Sequence, residues 1–291
     1  NGNIKVVISN KEDAFGLERA KKHNIRAVCE KDEDKVIKIL KEENIDLVVL
    51  AGYLKIISPK FVSEFENKIY RRALWFNNEI KEFGHPRNDI FFKDSIKIKQ
   101  KVRDFYNIPE DKKILLYVPS FRDSGNIDCY DLEYEKVLKA MEDRFGGDWI
   151  CLARLHPRTK KYDKELIMES DKLIDACFYP DIQELLVSSD VAITDYSSCI
   201  FDFMLSRKPA FVFATDIKDF NNDRGFYYPL ESTPFPIAVN NKELVENVLK
   251  FDDEKYQKDI TNFLEDKGCM EDGHASERVV DLIEQIMKEE V

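Results

Sequence analysis

A chain of 291 residues, 43% hydrophobic and 35% charged, has room for two domains with separate cores and the composition of an ordinary globular protein. Its 56 acidic against 45 basic residues leave a formal net charge of −11. That balance excludes a general nucleic-acid binder and weakens any purely electrostatic hold on anionic membranes.

No run of about 18 apolar residues and no signal peptide is visible, so the expected location is cytoplasmic. The six cysteines are scattered without paired spacing, which predicts free thiols and no metal site. The chain opens at Asn1 without a methionine, three residues before its first strand, as a fragment or processed chain would.

In chain order, the β-branched run at 4–9 predicts a strand, followed by a helical pattern through Lys22 and a helix at 34–43. A buried strand at 47–51 is closed by Gly52. From residue 113 the alternation becomes regular: strand 113–118, helix 131–145, strand 149–154, helix 181–187, strand 190–194, helix 198–205, strand 210–214. This predicts an α/β fold with a doubly wound parallel sheet, in which ligands lie outside the carboxyl ends of the strands. Polar motifs follow those ends: Ser120 to Asp123, His156 to Arg158, Asp195 to Ser198, and the loop after Ala214.

At Thr194-Asp195-Tyr196-Ser197-Ser198 a strand passes through a polar turn into a helix. The unpaired N–H groups of a first helical turn favour an anion, and two adjacent hydroxyls add donors, so a phosphate is one reading. The other is that Asp195 or Ser197 is simply the helix N-cap. Asp181, after Pro180, reads as the N-cap of helix 181–187.

The stretch from Tyr179 to Asp202 resembles the CDP-glycerol:poly(glycerophosphate) glycerophosphotransferases, which polymerise teichoic acid backbones. Lys113 to Asp123 resembles that family's strand and Pro-Ser/Thr-Phe-Arg loop, Arg154-Leu155-His156-Pro157-Arg158 its His-Pro-Arg motif, and Asp223-Arg224-Gly225-Phe226-Tyr227 its Arg-Gly-Phe turn. Gly84-His85-Pro86-Arg87-Asn88-Asp89 and Asp272 to Val280 resemble its Gly-x-Pro-Arg-Asn-Asp turn and closing helix, so the likeness covers about residues 69–291.

The first 68 residues resemble phosphoribosylglycinamide formyltransferase, through Val7 to Lys11, Ala14 to Ala20 and Asp46 to Ser58. In that family the Ala-Gly-Tyr segment borders the folate pocket, which carries over to Tyr53, Leu54, Lys55 and Ile56. The family's Gly-Ser-Asn phosphate loop and catalytic Asn-x-His are missing, so an isolated slice should be inert. The resulting domain plan is a partial formyltransferase-like α/β segment at 1–68, a helical connector at 69–110 that takes in a helix from Tyr70 to Trp75, and a nucleotide-binding domain at 111–291, with a join near 68–70.

The glycerophosphotransferase resemblance implies that the last domain is the Rossmann-like C-terminal half of a GT-B fold, holding CDP-glycerol as donor substrate with no cofactor. An acceptor glycerol hydroxyl would attack the glycerol-bearing phosphorus and expel CMP. Arg122, Arg158 and Arg224 suit bidentate phosphate contact, with Ser120, Ser197 and Ser198 as further donors. His156 is either a general acid to the leaving phosphate or a structural histidine before a proline turn.

Asp195 and Asp202 belong to the site motif, and Asp202 reads alternatively as a buried polar tie. His85 stands where the family has an aromatic residue and reads as structural; His23 and His274 read as solvent-facing. The family's facing domain supplies a second histidine in a His-Gly-Thr segment, and this sequence contains none, so donor binding without efficient turnover is expected.

The implied partners are CDP-glycerol and a lipid-linked poly(glycerophosphate) acceptor, with no nucleic acid. Tyr70 to Trp75 and Lys93 to Arg103 either touch the inner face of the cell membrane or pack on their own domain. The alternatives are formyl transfer from 10-formyltetrahydrofolate and a non-catalytic CDP-binding module.

Overall fold

Strand and helix alternate along the computed structural model, which describes residues 3–50, 58–65, 69–71, 81–122, 127–157, 159, 166–167, 170–217 and 229–289. The chain forms two compact units, Asn1–Lys81 with Glu289–Val291, and Glu82–Lys288.

The first unit runs β1 (Val6–Ser9), α1 (Phe15–Lys22), β2 (Arg26–Cys29), α2 (Glu33–Glu42), β3 (Val48–Leu50), α3 (Pro59–Glu64) and β4 (Ile69–Arg71). β1 pairs in parallel with β2, and β3 with β4. Local chemistry sets the helix ends. Asp32 caps α2 by accepting from the N–H groups of Asp34 and Lys35, and Ser58 caps α3, which begins on Pro59. Asn24 and Asn44 adopt the left-handed conformation just beyond α1 and α2, the residue type that tolerates it best after glycine. Ile37, Leu40, Val48, Phe61 and Phe65 form this unit's core.

The helix expected from Tyr70 to Trp75 is corrected at its start. Ile69–Arg71 is a strand, because Ile69 and Tyr70 suit a pleated surface and β3 offers an open edge, with Val48 opposite Ile69. Residues 72–75 lie outside the described set.

The second unit begins with a 3-10 turn, Pro86–Phe92, and α4 (Ile96–Tyr106). It continues through β5 (Lys112–Tyr117), α5 (Tyr134–Phe145), β6 (Asp148–Ala153), β7 (Leu173–Asp175), α6 (Ile182–Ser188), β8 (Val191–Thr194), α7 (Cys199–Met204), β9 (Ala210–Phe213) and β10 (Ile237–Ala238). Three helices follow: α8 (Asn241–Leu249), α9 (Asp253–Asp266) and α10 (Ala275–Glu289). Residues 82–110, assigned on sequence to a separate connector, lie in this unit. Val102 and Ile108 are buried in the sheet's own core.

All six strands are parallel, in the order β10-β9-β8-β5-β6-β7. Both faces of such a sheet are covered, which is why its strands are continuous apolar runs. Ile114, Leu115, Leu116, Ile193, Phe211 and Val212 have no exposed surface. Each such aliphatic side chain stabilises the fold by roughly 1.5–3 kcal/mol. No helix among the described residues is long and apolar enough to cross a membrane. α4 packs on the unit through Val102, leaving Ile96 and Phe105 exposed.

Candidate functional site

The winding of the second sheet changes direction between β5 and β8. From β5 the chain moves out through β6 to β7, then returns to the other side of β5 for β8, β9 and β10. The loops leaving β5 and β8 therefore diverge, and the crevice between them is where doubly wound sheets bind ligands.

Just above the sheet the two loops are stitched by one main-chain and one side-chain bond: the Val118 N–H donates to Ile193 O at 2.9 Å and Thr194 Oγ1 to Val118 O at 2.6 Å. Asp195 then accepts from the Ser120 N–H (2.7 Å), Ser120 Oγ (3.0 Å) and the Tyr196 N–H (2.5 Å). Arg122 Nη1 lies 2.8 Å from Asp195 Oδ2. Its other edge is bidentate on Asp216, Nε to Oδ2 at 2.5 Å and Nη2 to Oδ1 at 2.9 Å. Asp216 sits in the turn after β9, so one guanidinium fastens three neighbouring strand-end loops.

Two aromatic rings complete the knot. Tyr196 and Tyr130 lie 4.9 Å and 5.8 Å from the guanidinium carbon. The Tyr196 hydroxyl donates to Asp216 Oδ1 at 2.9 Å, and the Tyr130 hydroxyl to Ser120 O, also at 2.9 Å.

This cluster is largely buried: the side chains of Arg122 and Asp195 are 8% and 4% exposed. Burial raises the Asp195 pKa, against the opposing pull of the Arg122 charge. For Asp216 the same burial is outweighed by the hydrogen bonds from Arg122 and Tyr196, which hold its carboxyl below the usual range. Burial, with Asp216 behind it, pushes the Tyr196 hydroxyl up. Arg122 was expected to grip a phosphate bidentately; in this structure its Nε/Nη2 edge is on Asp216.

His156 is half-buried and packs on Phe121 of the β5 loop, ring centroids 4.4 Å apart. Its carbonyl accepts from the N–H (2.8 Å) and hydroxyl (2.7 Å) of Thr159, fixing the turn after β6. The ring thus stands at the same edge of the sheet as Ser120 and Asp195. The N-cap of α7 is Ser198, without a side-chain capping bond, and not Asp195 or Ser197. Ser197 is half-buried and Ser198 exposed at the crevice edge. Asp181 caps α6 as expected, accepting from the Gln183 N–H.

Asp202 is buried in α7 and forms a polar tie. It accepts from Arg87 Nε (3.0 Å) and Nη2 (3.2 Å), Asn88 Nδ2 (3.0 Å) and Gln183 Nε2 (3.0 Å). The Gly84-to-Asp89 motif belongs to the same structure. Asp89 accepts from the N–H groups of Ala275 and Ser276, both 2.9 Å, at the start of α10. Glu271 accepts from the His85 N–H at 3.0 Å and lies 2.7 Å from His85 Nδ1, while Arg278 donates to Phe83 O at 2.7 Å. Gly273, at φ +87°, passes so close to Phe92 that a Cβ would sit 2.6 Å from the phenylalanine Cβ, so glycine is required there. The two motifs matched in sequence to a family turn and closing helix form a clasp between the unit's first turn and last helix.

Arg158, Arg224, Tyr53, Leu54, Lys55 and Ile56 lie outside the described residues. Among the described residues no cluster of His, Cys, Asp or Glu is arranged to hold a metal. A surface concavity of about 530 Å³ lies between α5 and α8, lined chiefly by Glu133, Lys136, Lys139, Asn241, Lys242 and Glu246. It flanks the sheet and includes none of the strand-end motif residues. Asp216 is the component that sequence reasoning missed, although the loop containing it was marked.

Residues 14–285 match the model of the family described as CDP-glycerol:poly(glycerophosphate) glycerophosphotransferase. A teichoic acid poly(glycerol phosphate) polymerase of Staphylococcus epidermidis is 32% identical over 244 residues, covering 81% of this chain and 33% of that protein. Among solved structures, the wall teichoic acid polymerase TagF is 28% identical with a TM-score of 0.61, over 89% of this chain and 62% of that one. A histidine-to-asparagine variant of TagF soaked with CDPG is 25% identical with a TM-score of 0.58, over 98% of this chain and 73% of that one. The chain thus spans about a third of the curated relative and less than two thirds of the first TagF chain. The family match begins at residue 14 and crosses the expected join near 68–70. These matches support the glycerophosphotransferase resemblance and give none to a formyltransferase segment.

Proposed function

The chain belongs to the CDP-glycerol:poly(glycerophosphate) glycerophosphotransferase family, and on that premise we propose that its 82–288 unit binds CDP-glycerol in the β5/β8 crevice for transfer of glycerol phosphate to a poly(glycerophosphate) acceptor. The supporting observation is topological: Ser120 follows β5, Ser197 and Ser198 follow β8, and His156 follows β6, so these residues lie at the carboxyl ends of three neighbouring strands beside the point where the sheet changes direction. Ser197 and Ser198 donate to phosphate oxygens, and Arg158 and Arg224 supply bidentate contacts. Arg122, Asp195 and Asp216 hold the loops in place, a role that positions the binding groups without spending their donors on the ligand.

In the reaction a terminal glycerol hydroxyl of the acceptor attacks the phosphorus that carries the donor's glycerol. The new O–P bond forms as the bond to the CMP oxygen breaks, and the hydroxyl proton leaves to a base. His156, on the leaving side, stabilises the departing CMP phosphate by a proton or a charge. The acceptor's lipid anchor places the reaction at the inner membrane face, with contact through the Lys93 to Arg103 stretch.

Calorimetric titration with CDP-glycerol tests the reading. Saturable binding is expected, weakened at least about tenfold in the Ser197→Ala/Ser198→Ala variant through loss of two hydrogen bonds to a charged group. No heat at millimolar ligand rejects it.

A further inference from the structure

Arg154 stands at the carboxyl end of β6, two residues before His156, and its environment is unlike that of the other buried arginine at these strand ends. Arg122 is matched by two carboxylates. Arg154 is in hydrogen-bond contact with none: among the described residues its only hydrogen bonds run from Nη1, to Tyr179 O at 2.5 Å and Ala176 O at 3.3 Å. Nε and Nη2, which carry three N–H groups, have no acceptor among the described residues. Burial lowers its pKa, a penalty that the nearby Asp181 carboxylate, which makes no hydrogen bond to it, offsets only in part.

Its surroundings place it. The two carbonyls belong to the loop between β7 and α6, and the groups that act on its charge are Cys177, Tyr106, Asp181 and Cys199. Cys199 is the first residue of α7, directly after Ser197 and Ser198. The Tyr106 hydroxyl is itself buried with no partner. A half-buried guanidinium with an open fork and a neighbouring orphan hydroxyl is an unfavourable arrangement when empty. An anion at the open Nε/Nη2 edge meets the guanidinium's deficit.

We propose that Arg154 is the internal counter-charge for the diphosphate of the nucleotide donor, its Nε/Nη2 edge taking phosphate oxygens beside the Ser197-Ser198 turn. This rests on the nucleotide-binding reading above and assigns within it a residue that neither motif spacing nor the Arg122 cluster identifies. The carbonyls of Ala176 and Tyr179 aim the side chain, so the fork is set before the ligand arrives, and no side-chain ordering cost falls on binding.

The test compares CDP, cytidine and inorganic pyrophosphate by calorimetry on wild type and Arg154→Gln. A charge partner of phosphate loses affinity for CDP and pyrophosphate by at least about tenfold, with cytidine unchanged. A clamp that merely shapes the loop weakens cytidine and CDP alike, and that result overturns the proposal, as does unchanged CDP affinity. Should Arg154→Gln not fold, Arg154→Lys carries the same comparison. It keeps the charge and a donor for Tyr179 O but loses the fork, so CDP weakens several-fold against unchanged cytidine, or the proposal fails. A wild-type chain that binds neither CDP nor cytidine rejects the functional reading, while the pyrophosphate arm still reports on Arg154.

Discussion

Asp216→Ala is the sharpest perturbation of the site's framework. It deletes the acceptor for Arg122 Nε and Nη2 and for the Tyr196 hydroxyl, three bonds between 2.5 and 2.9 Å. Removing one partner of a buried ion pair costs about 3–5 kcal/mol because the other charge is stranded. Here the charge keeps Asp195 at 2.8 Å, and the Asp216 side chain is 18% exposed, so the lower end applies, about 3 kcal/mol with the stranded tyrosine hydroxyl included. At a urea dependence of about 3 kcal/mol per molar, the unfolding midpoint falls by about 1 M.

Fluorescence of Trp149, 1% exposed in the second unit's core, reports that transition once Trp75 is replaced by Phe. Arg122→Met should be worse, since it leaves Asp195 and Asp216 facing each other, and the double variant should lose at least about 2 kcal/mol less than the sum of the singles. The pH dependence has a fixed sign. Asp216 has a lowered pKa in the folded state, so its contribution is present above the unfolded value and is lost as acid titrates the folded carboxylate. The gap between wild type and Asp216→Ala therefore narrows in acid. Additive single and double variants, or a midpoint shift below about 0.2 M, would refute the reasoning.

Two further outcomes follow from buried groups elsewhere in the unit. Lys208 donates to Val187 O at 3.1 Å and to Ser189 O at the end of α6, and burial pulls its pKa from 10.5 to about 8. A base with a lowered folded pKa binds fewer protons folded than unfolded, so stability rises between pH 8 and 10.5, by up to about 3 kcal/mol. Lys208→Met abolishes that rise in urea melts taken across the window. Asp202→Ala strands Arg87, Asn88 and Gln183 and costs about 3–5 kcal/mol, yet below its melting point it binds CDP as wild type does. A selective loss of CDP affinity in the folded variant would return Asp202 to the site.

What could be read from sequence depended on how local the cause was. β5, β8 and β9 are legible because a strand covered on both faces must be an unbroken apolar run, as Ile114 to Tyr117 and Phe211 to Phe213 are. β7 and β10 are two or three residues long and depend on a neighbour already in place. Ile69–Arg71 takes its strand form from β3, a partner that helical spacing does not register. Asp216 is hardest of all, an unremarked acid whose partner Arg122 lies 94 residues away. Motif reading placed Asp202 in the site because its residue type suits chemistry, and matched Gly84 to Asp89 and Asp272 to Arg278 only to a family turn and closing helix. Their partners turn out to be one another, a pairing that only the folded chain discloses.

That division of labour bears on how an anionic donor is held by a chain of net charge −11. The Asp195–Arg122–Asp216 cluster carries one more carboxylate than cation, so it offers a diphosphate no net attraction. What it offers is rigidity. With Arg122 saturated by carboxylates, the loops after β5, β8 and β9 are fixed, and the Ser197-Ser198 turn is presented in one geometry. Attraction then has to come from a cation whose donors are not already held by carboxylates, and among the described arginines at these strand ends Arg154 is the one with no carboxylate in hydrogen-bond contact. Separating the residue that fixes the loops from the residue that meets the charge lets each be buried on its own terms. Arg122 is stable when the site is empty, and Arg154 is stabilised by the ligand it binds.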